Sequence, residues 1–110
     1  MGESTESVNE VRLSGRVSGA PQERELPSGD PLVQLRVVVP RDGESLRRGG
    51  ATVDTIDVTC WSARARGVAL RLSDGDAVEL SGALRRRFFR AGGAASSRYD
   101  VEVRSIRRVR

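Results

Sequence analysis

The fold is decided by residues 53–84, which read VDTIDVTCW-SARARGVALRL-SDGD-AVELSGAL. Residues 53–61 alternate between apolar and polar side chains, the period-two pattern of a strand with one face towards a core. Residues 63–72 place apolar side chains at helical spacing, and the Ser-Asp-Gly-Asp sequence after them is typical of a turn. Residues 77–84 alternate again. The segment therefore predicts a strand, one short helix and another strand.

The rest of the chain carries the same alternation in three further stretches. Strands are predicted over residues 11–17, 32–39 and 98–109. In the last of these the alternation changes parity at Ile106, which predicts a β-bulge or the end of the strand. The connections are rich in Gly, Pro or Arg, and three of them are predicted to be loops: residues 21–29, 41–52 and 85–97.

The predicted order is three strands, one short helix and a two-stranded hairpin. With strands this short and the helix between the third and fourth of them, the natural closure is a five-stranded Greek-key barrel. This all-β architecture is the oligonucleotide/oligosaccharide-binding (OB) fold. We expect it to span residues 9–110, after a flexible acidic N-terminal tail over residues 1–8.

Positive charge is concentrated at the C-terminal end of the chain. Nine of the nineteen arginines and three of the four aromatic residues lie within residues 85–110. A surface that mixes arginine with aromatic rings suits a polyanion whose flat bases are unpaired. The alternative is a solvated charged loop with one of the two Phe rings in the core. The candidate binding residues in this run are Arg85, Arg86, Arg87, Phe88, Phe89 and Arg90.

Trp61 is a candidate for base stacking because of its position in the third strand. The core face of that strand is predicted to hold Ile56, Val58 and Cys60, and the polar face Thr55, Asp57, Thr59 and Trp61. A large ring on the polar face would be free to stack. The alternative is that the strand ends one residue earlier and Trp61 packs under the element that follows.

Further arginines extend the predicted interface beyond the C-terminal run. Arg36 alternates with the apolar residues of the second strand and therefore lies on its polar face. Arg41, Arg47 and Arg48 belong to the predicted flexible loop over residues 41–52. Together with the loop over residues 85–97, this loop could embrace a nucleic-acid strand from two sides.

The composition excludes several classes of protein. The chain has no His and a single Cys, which removes most metal sites and every His-based nucleophile triad, so we expect no enzyme, no cofactor and no small-molecule substrate. No run of 18 apolar residues predicts a membrane span. Cys60 cannot form an internal disulfide, which is consistent with a reducing cytoplasm.

The ordered motifs of the chain resemble those of bacterial single-stranded DNA-binding proteins. They are residues 9–17 (NEVRLSGRV), 21–24 (PQER), 27–29 (PSG), 56–61 (IDVTCW), 74–84 (DGDAVELSGAL) and 99–103 (YDVEV). The resemblance implies cooperative, largely sequence-independent binding of single-stranded DNA, usually by a homotetramer. It also implies that Trp61 and Phe89 occupy positions where the family places stacking aromatic residues.

The sequence departs from the family pattern at several places. A further stacking Trp of the family falls at Thr55, and the loop before the third strand has no aromatic equivalent. Asp57 adds a negative charge to the predicted binding face. The sequence ends at Arg110 without the family's long tail and acidic tip, so we expect a short, tail-less paralogue that does not recruit partner enzymes by that route.

The sequence therefore predicts a protein that binds single-stranded DNA through arginine–phosphate contacts and base stacking. It would support DNA replication, recombination or repair in the cytoplasm, at the nucleoid. An OB module that binds RNA or a replication or primosome protein is the alternative. We expect a homo-oligomer, and both a dimer and a tetramer remain open.

Overall fold

The computed structural model of the protein describes residues 6–109, so most of the expected tail over residues 1–8 lies outside the described residues. The strands close into a barrel in the order β1-β2-β3-β5-β4, with β3 and β5 parallel and the other neighbours antiparallel. The predicted all-β OB barrel, with a helix between its third and fourth strands, is confirmed. The elements are β1 (Val11–Glu25), β2 (Pro31–Pro40), α1 (Gly43–Arg47), β3 (Val53–Cys60), α2 (Ala63–Leu70), β4 (Ala77–Ala91) and β5 (Ala94–Arg108).

Aliphatic side chains at alternate strand positions fill the barrel. The predicted inward faces are confirmed for β2, where Val33, Leu35 and Val37 are buried, and for β3, where Val58 and Cys60 are buried. Burial disfavours the charged thiolate and raises the pKa of the Cys60 thiol to about 11. Cys60 therefore serves as a small apolar core residue.

The predicted irregularity near Ile106 is a β-bulge. At Gly82 the register of β4 advances by one residue while that of β5 advances by two, which leaves Arg104 without a partner in the ladder. Gly82 also lies so close to β5 that a Cβ atom there would overlap the carbonyl oxygen of Glu102. Only glycine permits this approach of the two strands.

The predicted loop over residues 21–29 is wrong in its first half, because β1 continues to Glu25. A register shift between Ser18 and Gln22, with Gly19 at a φ of 80°, bends the strand before it pairs again with β2. Pro21 lies within this irregularity, where the ladder does not require a hydrogen bond from its nitrogen.

The predicted loop over residues 41–52 contains the short helix α1. Glu44 lies in its first turn and Arg47 in its last, which matches the direction of the helix dipole. This local charge arrangement was missed because the glycines on either side indicated a flexible segment.

The predicted loop over residues 85–97 is wrong, because β4 and β5 form one long antiparallel hairpin. Its turn consists of Gly92 and Gly93, whose φ angles of 59° and 83° fit a two-residue type I′ turn. Successive residues of the Arg and Phe run in β4 point to opposite sides of the ribbon, and each lies opposite a residue of β5, as Phe88 lies opposite Ser97. The hairpin extends beyond the barrel and carries the arginine run with it.

Candidate nucleic-acid interface

Trp61 lies in the two-residue connection, residues 61–62, between β3 and α2. β3 ends at Cys60, and the Ser62 hydroxyl caps α2 by accepting a hydrogen bond from the Ala65 N–H at 3.1 Å. Arg66 Nε donates to the Trp61 carbonyl oxygen at 3.0 Å. Trp61 therefore lies just beyond the end of β3, as one part of the alternative held, but its side chain remains partly exposed.

A buried polar network fixes the position of Arg87. Thr59, expected on the exposed face of β3, is only 2% exposed, and its hydroxyl donates to Asp100 Oδ2 at 2.5 Å. Asp100 is 4% exposed and accepts from Arg87 Nε at 3.1 Å through both carboxylate oxygens. The Arg87 guanidinium carbon lies 5.5 Å from the centre of the Trp61 ring, within the range of a cation–π contact.

Thr59 lies on the side of β3 that parity predicts, but it is buried because the β4–β5 hairpin covers that end of the strand. Strand parity places Thr59 outside the barrel, yet Asp100 of β5 lies against it. The Arg87 Nη2 atom is buried and has no hydrogen-bond partner within residues 6–109. The charge of Arg87 is thus balanced by Asp100, and its guanidinium group is held against the Trp61 ring.

A polar groove of about 310 Å³ lies beside this network, across β1, β2, β3 and β5. Asp100 and Arg98 line it from β5, and Arg36 and Asp57 form an exposed ion pair at 3.4 Å within it. The negative charge of Asp57, which would repel phosphate, is therefore balanced by Arg36. Other polar side chains of the lining are Ser18, Gln22, Arg24 and Gln34.

The two Phe residues lie on opposite sides of the β4–β5 hairpin, because successive strand residues point to opposite faces. We call the side with Arg85, Arg87, Phe89 and Arg98 the groove face. Phe89 is 39% exposed there, and the Arg98 guanidinium carbon lies 5.3 Å from its ring centre. The alternative that one of these rings belongs to the core is wrong.

The opposite side, which we call the far face, carries Leu84, Arg86, Phe88, Arg90 and Tyr99. Phe88 is 73% exposed. The Arg86 guanidinium carbon lies 4.9 Å from the centre of the Phe88 ring and 5.6 Å from that of the Tyr99 ring. The RRRFFR run therefore presents aromatic rings and guanidinium groups on both faces of one ribbon.

Ion pairs divide the predicted arginines into two groups. Arg85 pairs with Glu102 at 2.6 Å. Arg41 pairs with Asp54 at 2.8 Å, and this hydrogen bond raises the pKa of Arg41. Within the described part of the chain, no acidic side chain forms an ion pair with the following: Arg86, Arg90, Arg98, Arg47 and Arg48.

The structure does not bring all predicted residues together. Arg47 and Arg48 are exposed at the end of α1, and among residues 6–109 no side-chain hydrogen bond or ion pair joins them to the groove. Asp100 was missed as a site residue. Had the Gly-Gly sequence at residues 92–93 been read as a two-residue turn, strand pairing would have placed Asp100 opposite Arg85.

Within the described residues, no group of three or more His, Cys, Asp or Glu side chains is placed to hold a metal ion. Over the same residues, no helix has the length and apolar character needed to cross a membrane.

Comparison with known proteins shows what this chain is similar to. A family model described as the single-strand binding protein family matches residues 8–109. Among 180 matching chains of solved structures is the single-strand binding protein of Plasmodium falciparum in a complex with single-stranded DNA. That match has a TM-score of 0.79 at 15% sequence identity, and it covers 98% of this chain and 100% of the Plasmodium chain. No curated protein matches the sequence.

Proposed function

Because the chain belongs to the single-strand binding protein family, we propose that it binds single-stranded DNA largely independently of base sequence. Arginine–phosphate contacts and aromatic stacking provide the binding energy. The observation that carries this proposal is the partly exposed Trp61 ring, held by Arg87 beside a groove whose lining includes several arginines. The domain acts by binding and catalyses no reaction.

Trp61 and Phe89 supply the stacking surfaces of this interface. Each ring already has a guanidinium group on or near one side, from Arg87 and Arg98 respectively. An exposed part of the ring can accept a base, and a base–aromatic stack is worth about 1–3 kcal/mol. Every base has a π-face, so this mode of binding tolerates any sequence.

The arginines without acidic partners supply the phosphate contacts. Arg98 lines the groove, and Arg90 lies at the end of the hairpin near the turn. Their positive charges are not offset by ion pairs in the described structure, so they can neutralise phosphates at full effect. Arg85 and Arg87, in contrast, mainly hold the hairpin and the Trp61 ring in place through Glu102 and Asp100.

A protein of this kind protects and presents single strands during DNA replication, recombination or repair. We place it in the cytoplasm, at the nucleoid, and propose that it works as a homo-oligomer, with several domains sharing one strand. Cooperative binding along a strand is common for proteins that combine a basic groove with stacking rings.

The proposal is tested by fluorescence anisotropy with labelled oligo-dT, the matching RNA and a duplex of the same length. We expect oligo-dT to bind most tightly, and Trp61→Ala and Phe89→Ala each to weaken its binding by about 1–3 kcal/mol. Leu70→Ala, which truncates an exposed apolar side chain on α2, is the control and should bind normally. Equal affinity for duplex would contradict the proposal, and preference for RNA would assign the domain to a different nucleic acid.

A further inference from the structure

The far face of the hairpin is an exposed continuation of the barrel interior. Leu84 of β4 lies directly opposite Val101 of β5, which is buried in the core. Beyond this pair the ribbon leaves the barrel, so Leu84 is 45% and Tyr99 57% exposed although they share the inward side. Phe88 extends this patch towards the turn. Large apolar side chains gathered on one face of a ribbon mark a binding surface.

We propose that the far face is a second nucleotide-binding surface, on which bases stack against Phe88 and Tyr99 while Arg86 contacts the backbone phosphate. The inference rests on the proposed function and extends it to a face that the groove does not include. A single strand bound along the groove face passes around the free end of the hairpin and continues on the far face.

Arg86 gives this face the chemistry of a nucleotide site. Its guanidinium carbon lies near both rings, at 4.9 Å from the Phe88 centre and 5.6 Å from the Tyr99 centre, and its Nη2 donates to the Ser97 hydroxyl at 3.3 Å. A guanidinium group beside aromatic rings keeps donors at its edge for a phosphate. The rings retain enough exposed surface to stack with bases.

Charge distinguishes the far face from the groove face. The two acidic residues of β5 in this region, Asp100 and Glu102, both point to the groove face, where they pair with Arg87 and Arg85. Within the β4–β5 ribbon the far face has two cations, Arg86 and Arg90, and no acid. It therefore attracts a polyanion and has no carboxylate to repel a phosphate.

The same charge argues against a second copy of the chain as the occupant. A symmetric interface between two far faces would bring each Arg86 towards its counterpart in an apolar contact. Two like charges placed together in such an environment are unfavourable. A nucleic-acid strand, in contrast, offers both flat rings for Phe88 and Tyr99 and negative charge for Arg86.

Photo-crosslinking locates the bound strand on each face separately. Oligo-dT that carries 5-iodouracil is bound to the full chain, irradiated and digested with trypsin, which cleaves after Arg. The peptide over residues 49–64 contains Trp61 and reports the groove face, whereas the peptide over residues 99–104 has Tyr99 as its aromatic residue and reports the far face. We expect crosslinks in both peptides, with the far-face crosslink on Tyr99.

Oligonucleotide length provides the second measurement. An oligonucleotide of about 4 nucleotides fills only the groove face, whereas one of about 16 nucleotides reaches both faces. These two lengths are the ends of the range of binding-site sizes known for OB domains. Phe88→Ala and Tyr99→Ala should each weaken binding of the long oligonucleotide by about 5- to 150-fold and leave the short one unchanged. Leu70→Ala should change neither, and because Phe88 is largely exposed its variant should stay folded.

The outcomes separate this inference from the proposed function. The far-face site is overturned if Phe88→Ala and Tyr99→Ala both bind the long oligonucleotide normally and crosslinks form only in the Trp61 peptide. The proposal that DNA binds at the groove would then still stand. Failure of the unaltered protein to bind any oligo-dT overturns both proposals. A change of oligomeric state in Phe88→Ala, measured by light scattering, with unchanged DNA binding would assign the face to contacts between copies.

Discussion

Asp100→Ala removes the buried carboxylate that joins Thr59 to Arg87 and should destabilise the fold strongly. A buried hydroxyl left without a partner costs about 1–3 kcal/mol, and a lost hydrogen bond to a charged group about 1.5–3 kcal/mol. Thr59 is buried, but Arg87 is partly exposed, so water can hydrogen-bond to its guanidinium group and offset part of the second loss. We therefore expect a loss of about 2–4 kcal/mol, a large share of the roughly 5–15 kcal/mol that stabilises a typical domain.

Urea denaturation followed by the fluorescence of Trp61 measures this loss. The matched control is Glu102→Ala, which breaks the neighbouring Arg85–Glu102 pair. That pair is shorter, at 2.6 Å against 3.1 Å, but both of its partners are substantially exposed. Exposed pairs contribute less than about 1 kcal/mol, so the control should unfold almost as the unaltered protein does. Equal losses in the two variants, or an Asp100→Ala variant as stable as the unaltered protein, would refute the reasoning.

Three further predictions follow from the described contacts. Gly82→Ala forces a Cβ atom against the Glu102 carbonyl. Because overpacking and backbone shifts typically cost about 1–3 kcal/mol, thermal denaturation should show that the free energy of unfolding falls by more than about 2 kcal/mol. A normal melting temperature would contradict this contact. Burial raises the pKa of Cys60 to about 11, above the roughly 8.5 of an unfolded chain, so its contribution to stability is intact below about pH 8.5 and falls as the pH rises towards 11. Cys60→Ala should lack this decrease. If the free energy of unfolding falls equally steeply between about pH 8.5 and 11 in Cys60→Ala and in the unaltered protein, Cys60 is not its cause. Finally, Arg86→Ala should make the slope of log affinity for oligo-dT against log salt concentration shallower by about 0.7. Arg85→Ala should change this slope less, because the charge of Arg85 is already paired with Glu102. The reverse order would show that the Arg85–Glu102 pair does not persist in the complex.

The barrel could be predicted from the sequence because alternation fixes which side of each strand is buried. The inward residues of β2 and β3 follow from period-two spacing. The change of parity at Ile106 indicated a bulge or the end of the strand, and the structure has a bulge two residues earlier, at Arg104. The length of the β4–β5 hairpin could not be read in the same way. Outside the barrel both faces of a ribbon are exposed, so alternation between apolar and polar residues no longer marks the strand.

The candidate site was only partly predictable for a related reason. Parity selected Trp61, and the arginine-rich run together with the family resemblance selected Phe89, but parity alone could not show that β3 ends before the Trp. Nor could it show that Thr59 is covered by Asp100, since that contact joins residues 41 positions apart. The division of the arginines into paired and unpaired groups depends on cross-strand register, which the missed Gly-Gly turn determines.

The most direct test of single-strand binding at the groove is the fluorescence of Trp61, the single Trp of the chain. In a titration with oligo-dT, base stacking on the partly exposed ring should quench its emission strongly, in proportion to the fraction bound. Duplex of the same length should quench it far less, because its bases are already stacked within the helix. Unchanged Trp61 emission while anisotropy reports bound oligo-dT would contradict the account, since the DNA would then lie elsewhere on the protein.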